Sequence, residues 1–176
     1  MGHPFGPNRS LAKVAALAEA QQPWAAVLGC ADSRVPLEIL FDAGFGDLFV
    51  VRVAGNVAAT EQIGSLEYAV SVLGTPLVMV LGHSGCGAVT AALSDAPTPG
   101  QIPALLRQIE ASIPEGCDNL DRAIEHNVEH QLFRLLDQSP LIKEKVEQGE
   151  LALHGAVVDL STGQVRLLDG LPSSRS

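Results

Sequence analysis

Basic residues are scarce in this chain. Eleven lysines and arginines stand against 20 aspartates and glutamates in 176 residues, giving a formal net charge of −9. Such a surface repels phosphate backbones and anionic lipid, and no local basic cluster offsets it, so neither nucleic acid nor a membrane is an expected partner. Long apolar runs are also missing. None approaches the ~18 residues needed to cross a bilayer, and the start MGHPFGPNRS has no signal-peptide apolar core. The expectation is a soluble, cytoplasmic protein. Three cysteines are too few, and odd in number, for a disulfide framework. In a reducing compartment, cysteine serves instead as a small buried hydrophobe, a nucleophile or a metal ligand. There is no low-complexity segment and no charge block. The length fits one domain, 1–176, able to bury a core without cross-links.

Hydrophobic periodicity supplies the fold class. Leu11, Val14, Ala15 and Ala18 recur at helical spacing behind Ser10, an N-cap type, and predict a helix over 11–20. Short apolar runs follow at 25–29, 48–53, 77–82 and 151–158, separated by segments of helical composition such as 61–73. Buried strands alternating with helices imply an α/β fold, a mostly parallel central sheet flanked by helices. Three prolines and a glycine in 94–103 bar regular structure there and mark a loop or lid edge. Leu120, Ile124, Val128, Leu132 and Leu135 form one stripe and predict a long amphipathic helix over 118–138. The ending VVDLSTGQVRLLDG reads as a hairpin, strand 153–160 turning at Thr162-Gly163 into 164–168.

One internal echo points to chemistry. Pro23 to Cys30 and Pro76 to His83 share the pattern P-x-x-x-V-L-G followed by a metal-capable residue. If both are parallel strands, Cys30 and His83 occupy equivalent places just past the carboxyl ends, where open α/β sheets build their sites. His83-Ser-Gly-Cys86 is a second short ligand pair. Alone it reads more readily as a tight strand-to-helix turn with a buried cysteine. With Cys30 it becomes a Cys2His set that suits Zn²⁺ by softness and leaves one tetrahedral position open, as catalysis requires. Cys117, in PEGCDN, has no ligand-like neighbours. His126 and His130 stand i, i+4 on a helix, but a solvated face is the simpler reading, and HNVEH is not the zinc-protease H-E-x-x-H.

These residues resemble a family. Cys30-Ala-Asp-Ser-Arg34 looks like the C-x-D-S-R motif of β-class carbonic anhydrases, and His83-Ser-Gly-Cys86-Gly87 resembles their H-x-x-C-G, with the family's spacing between them. Similar matches at Val51–Asn56, Gly64–Ala69 and Gly155–Gly163 extend the likeness over nearly the whole chain. The departures are an N-terminal helical arm that looks short and Val158 where an aromatic is common. The resemblance implies the β-carbonic anhydrase fold, one zinc per chain on Cys30, His83 and Cys86, and reversible hydration of carbon dioxide to bicarbonate by zinc-bound hydroxide. It also implies a homodimer or higher homo-oligomer whose partner lines part of the substrate cavity.

Two thiolates neutralise zinc more fully than three histidines, so its water is a weaker acid than the pKa of about 7 found in a His3 site. Asp32 can accept a hydrogen from the nucleophile, and Arg34 can hold Asp32 by a bidentate pair. An isolated pair of this kind in a loop is ordinarily a surface ion pair worth about 0–1 kcal/mol. Its place beside Cys30, and the family's use of this dyad, make it catalytic here. Val27 and Val158 stand where the branch that closes its site on the aspartate carries Trp and Tyr, so the sequence leans to an open site. Gln21, Phe49 and Tyr68 match the substrate pocket of the plant-like branch, with Gly87 beside the last ligand. Each also reads as ordinary structure: Phe49 and Tyr68 as core, Gln21 as a linker residue. Hydrolysis of carbon disulfide or carbonyl sulfide is open on the same ligands. A noncatalytic zinc module lacks a fourth ligand, and GHSGCG has neither the G-x-G-x-x-G nor the P-loop order of a nucleotide site.

Overall fold

The computed structural model describes residues 9–94 and 96–170. Five strands form one sheet in the order β2-β1-β3-β4-β5, where β1 is Ala25–Gly29, β2 Leu48–Arg52, β3 Leu77–His83, β4 Ala152–Val158 and β5 Val165–Leu167. The first four are parallel and β5 runs antiparallel to β4. The hairpin expected at the end is present. Gly163, at φ +72°, closes it by donating to the Asp159 carbonyl at 2.7 Å. Helices are α1 Leu11–Ala16, α2 Leu37–Leu40, α3 Thr60–Ser71, α4 Gly87–Ala92, α5 Ile102–Glu110, α6 Leu120–Gln138 and α7 Pro140–Glu147. None is long and apolar enough to cross a membrane among the described residues.

Apolar alternation along the strands divides the core. Leu28, Val78, Val80 and Leu153 face α3, α6 and α7, meeting Leu66, Val128, Leu132 and Ile142. Val27, Leu81, Ala156 and Val158 face the other way, onto Val35 and Leu37. A third cluster lies beyond the carboxyl ends of the strands, where α4, α5 and α6 converge on Cys30 and Cys86 through Val89, Ile109 and Ile124. Close approach of α6 depends on two glycines. A Cβ at Gly82 would stand 2.7 Å from Val128 Cγ2, and one at Gly155 would stand 2.8 Å from Leu132 Cδ1.

Several expectations need correction. The helix expected over 11–20 stops at Ala16, because Leu17 turns out of helical geometry and Pro23 holds the residue before it extended. Nothing is described for residues 1–8, so the shortness of the N-terminal arm before Arg9 lies outside the described residues. The proline-rich stretch is irregular only as far as Gln101: α5 starts at Ile102, with Pro103 in the first turn where its missing N–H costs nothing. The helix over 118–138 starts at Leu120, capped by the Asn119 side chain accepting from Arg122 N at 3.0 Å. His126 and His130 are half-buried, not on a solvated face. His126 Nδ1 lies 3.5 Å from Glu129 Oε2.

Because Gly155 gives Leu132 and Val128 their place, Gly155→Ala forces them aside. The expected loss is about 1–3 kcal/mol of unfolding free energy, read from the urea midpoint. An unchanged midpoint would show that α6 shifts freely.

Candidate metal centre

Cys30 is the first residue after β1, His83 the last of β3, and Cys86 the residue capping α4. Their ligand atoms lie within 4.8 Å of one another. All three residues are buried, at 4%, 0% and 1% exposure. The echo between the two strands is not the reason they meet. Register pairs Gly29 with Leu81, which sets Cys30 against Gly82 and leaves His83 one residue further on. A one-residue slip puts side chains on opposite faces of a sheet. The chain resolves this by leaving β1 at Cys30, where Ala31 N donates to Val53 O at 3.1 Å. Gly85, at φ +62°, then turns the chain so that Cys86 comes back to the same point.

Each ligand is oriented by the backbone. His83 Nδ1 donates to the Ser84 carbonyl at 3.0 Å, and a carbonyl can only accept, so Nε2 carries the lone pair. Nε2 is buried with no hydrogen-bond partner, facing the two sulfurs. Cys30 Sγ accepts from Gly55 N at 3.3 Å and from Asp32 N at 3.4 Å. Hydrogen bonding from Cys86 and from the two backbone N–H groups holds Cys30 well below the usual thiol range against the opposing cost of burial. Cys86, donating its proton to Cys30 and buried, is pushed up. Burial pulls His83 down, but the adjacent Cys30 thiolate more than offsets it. This donor set fits zinc: an unpaired imidazole nitrogen and two thiols that a divalent cation can deprotonate, one of them already favoured to ionise by its neighbours. It is the one such cluster found among the described residues.

Beside it stands the Asp32–Arg34 pair. Arg34 Nε and Nη2 donate to the two carboxylate oxygens at 2.9 and 2.7 Å, and its backbone N adds a third bond at 2.9 Å. These bonds hold Asp32 well below the usual carboxylate range. Asp32 Oδ2 lies 3.8 Å from His83 Nε2, so the carboxylate borders the metal position. Arg34 Nη2 also donates to the Gly85 carbonyl at 3.1 Å, tying the first motif to the second. Sequence reasoning missed Arg52, which donates to the carbonyls of Cys30 and Asp32 at 2.8 and 2.6 Å. It sits inside the quoted stretch Val51–Asn56, but nothing in the spacing tells a loop-bracing arginine from a solvated one. The other expected residues are less close. Gly87 opens α4 directly after Cys86, with no atom within 4 Å of where a Cβ would be. Phe49 and Tyr68 adjoin each other, with ring centroids 6.3 Å apart. Gln21 and Tyr68 line a groove of about 930 Å³ that none of the three ligands reaches.

Replacing Cys30 or Cys86 by Ser, or His83 by Ala, is expected to take bound zinc from one per chain to none while the far-UV spectrum keeps its helical signal. Elemental analysis after dialysis checks this, and full zinc retention in any one variant would remove that residue from the ligand set.

Comparison with known proteins agrees with the geometry. Residues 25–165 match the family described as carbonic anhydrase. Carbonic anhydrase 2 of Mycobacterium tuberculosis is 40% identical over 176 residues, spanning 96% of this chain and 85% of that protein. The carbonic anhydrase of Mycolicibacterium smegmatis is 40% identical over 175 residues, spanning 94% and 84%. Among solved structures, a tetrameric β-carbonic anhydrase of Sordaria macrospora superposes with a TM-score of 0.81 at 28% identity, over 89% of this chain and 86% of that one. A Coccomyxa β-carbonic anhydrase in complex with acetazolamide gives 0.76 at 32%, over 88% and 75%. With this match across most of its length and a Cys2His group suited to zinc, the chain belongs to the carbonic anhydrase family, in its β class.

Proposed function

We propose that this protein hydrates carbon dioxide reversibly to bicarbonate and a proton, with Asp32 and Arg34 as the catalytic pair beside zinc. The observation that carries the reading is the three-bond clamp of Arg34 on Asp32, next to a ligand set with three members rather than four. Cys30, His83 and Cys86 would hold zinc, which when bound would lower the pKa of a water and supply a nucleophile. Asp32 would accept a hydrogen from the nucleophile at Oδ2, the oxygen nearest His83, and so orient its lone pair toward the carbon of the substrate. Arg34 keeps the carboxylate ionised and fixed in direction, so no reorganisation is needed when the reaction occurs. Because both oxygens of Asp32 are engaged by Arg34, the carboxylate is better satisfied there than as a fourth ligand, which supports an open site.

The pocket reading for Gln21, Phe49, Tyr68 and Gly87 places Gly87 beside Cys86 in the same chain but needs a second copy to bring Gln21 and Tyr68 to the metal group. Gln21 and Tyr68 lie in a groove apart from the metal group, and that groove is bordered by Phe45 and Val72, both exposed. Trp24 and Ile39 are also exposed, at 48% and 67%. Apolar side chains of this size left in water mark an interface. A homodimer or higher homo-oligomer would cover them and bring one subunit's Gln21 and Tyr68 toward the other's zinc. A cytoplasmic location accords with this chemistry, since two cysteines must stay reduced to bind metal.

Asp32→Ala and Arg34→Ala are each expected to keep one zinc per chain and to lower kcat for CO2 hydration by about 10²–10⁴-fold in stopped flow. Normal turnover in either would end the role of the pair. Since Arg34 depresses the Asp32 pKa, Asp32 stays ionised at all pH values above the acid range. The wild-type rate should then rise smoothly between roughly pH 6.5 and 9, without a steep switch. A zinc-loaded crystal near neutral pH with Asp32 bonded to the metal would overturn the open-site reading. Light scattering should find particles of two or more chains, and a monomer with full activity would refute the shared pocket.

A further inference from the structure

Two amides sit in the core of α6 where a helix packed on a sheet has no need of them. Asn127 and Gln131 are exposed by 1% and 0%, among Ile124, Val128 and Leu132. They stand four residues apart and so share one face of the helix. Both are committed to the same short turn, the 3-10 segment Ala54–Asn56 and the residues after it. Asn127 Nδ2 donates to Gly55 O at 2.8 Å, and Gln131 Oε1 accepts from Ala58 N at 2.9 Å. Gln131 Nε2 donates to Asn127 Oδ1 at 3.0 Å, which fixes each amide by the other, and Ser112 Oγ lies 3.4 Å from the same oxygen. The turn is therefore held at both ends from one helix. At its centre is Gly55, at φ +69° and ψ 21°, wedged so that a Cβ would run into Ile109 and Ala88. Its N–H points at Cys30 Sγ.

We propose that Asn127 and Gln131 are positioning residues for the metal centre: by fixing the Gly55 carbonyl and the Ala58 N–H they aim the Gly55 N–H at the Cys30 sulfur and so set how strongly that thiolate binds and donates charge to zinc. The inference rests on the zinc reading of the Cys30, His83 and Cys86 group. A hydrogen bond to a coordinated sulfur withdraws electron density that would otherwise reach the metal, and groups behind the ligands commonly change metal affinity by about 10–100-fold. Buried amides are costly unless paired, so their bonds to this turn and to each other tie the geometry of the turn to α6.

The test uses holoprotein with cobalt(II) in place of zinc, because thiolate-to-cobalt charge-transfer absorption reports the sulfur directly. Asn127→Leu keeps the branched shape of the side chain and removes the bond to Gly55. It is expected to move the charge-transfer band and to speed cobalt loss to a chelator by about 10-fold or more. Gln131→Met, which frees Ala58, should shift both in the same direction by less, and it decides the matter if Asn127→Leu does not fold. Ile142→Ala removes buried volume on α7, away from the turn, and should leave band and rate as in the wild type. An unchanged band and rate in the folded amide variants would overturn the proposal, as would equal changes in Ile142→Ala. Wild-type protein that takes up no cobalt or zinc would overturn the metal reading itself.

Discussion

Cys30 Sγ is the atom around which the site is organised. It lies one residue past the end of a buried parallel strand, and it receives two backbone N–H groups from different directions: Asp32 from its own loop and Gly55 from the loop after the neighbouring strand β2. A sulfur held in this way is a thiolate in a place where water cannot pair with it. The negative charge is tolerable because N–H dipoles and an imidazole surround it. The placement of Asp32 follows, since the short loop that wraps the sulfur also sets the carboxylate beside His83. The placement of Arg34 follows in turn, bridging from Asp32 to the Gly85 carbonyl of the second motif.

The fold makes this arrangement affordable by putting it at the carboxyl end of the sheet. Strand ends leave N–H and C=O groups without ladder partners, and those groups are used on the site. Ser84 illustrates the economy: its N donates to Val158 O, its hydroxyl accepts from Leu160 N, and its carbonyl holds the His83 ring. Three helices then close over the cluster, so Cys30 and Cys86, two of the three candidate ligands, are also part of the core at that end of the molecule.

Much of this was legible from the residues. Four apolar runs gave β1 to β4 nearly to the residue because buried parallel strands are apolar on both faces, and the stripe Ile124, Val128, Leu132, Leu135 marked the buried side of α6. That Cys30, His83 and Cys86 come together was legible because thiol and imidazole at short spacing after strands have few other uses. What was not legible depended on backbone direction. The matching strand patterns of Cys30 and His83 suggested equivalent positions, whereas the sheet register shifts them by one residue. The helical histidines His126 and His130 drew attention by their chemistry, yet the inward-facing pair is one position later, at Asn127 and Gln131. Amides carry no motif, and only the partner at the other end of each hydrogen bond, Gly55 O or Ala58 N, shows what they do. The short helices α2 and α7 were invisible for a related reason: four and eight residues hold too few turns for a period to show.

The two glycines under α6 have a consequence beyond the space they leave. Gly82 and Gly155 set the distance between that helix and the sheet, and the amides that reach the zinc-side turn belong to the same helix. Steric volume in this seam is therefore linked to the electronic character of a sulfur several residues away. A lineage of these proteins that filled this seam would lose stability and disturb the surroundings of that sulfur by the same substitution, so durability and chemistry are tied together here.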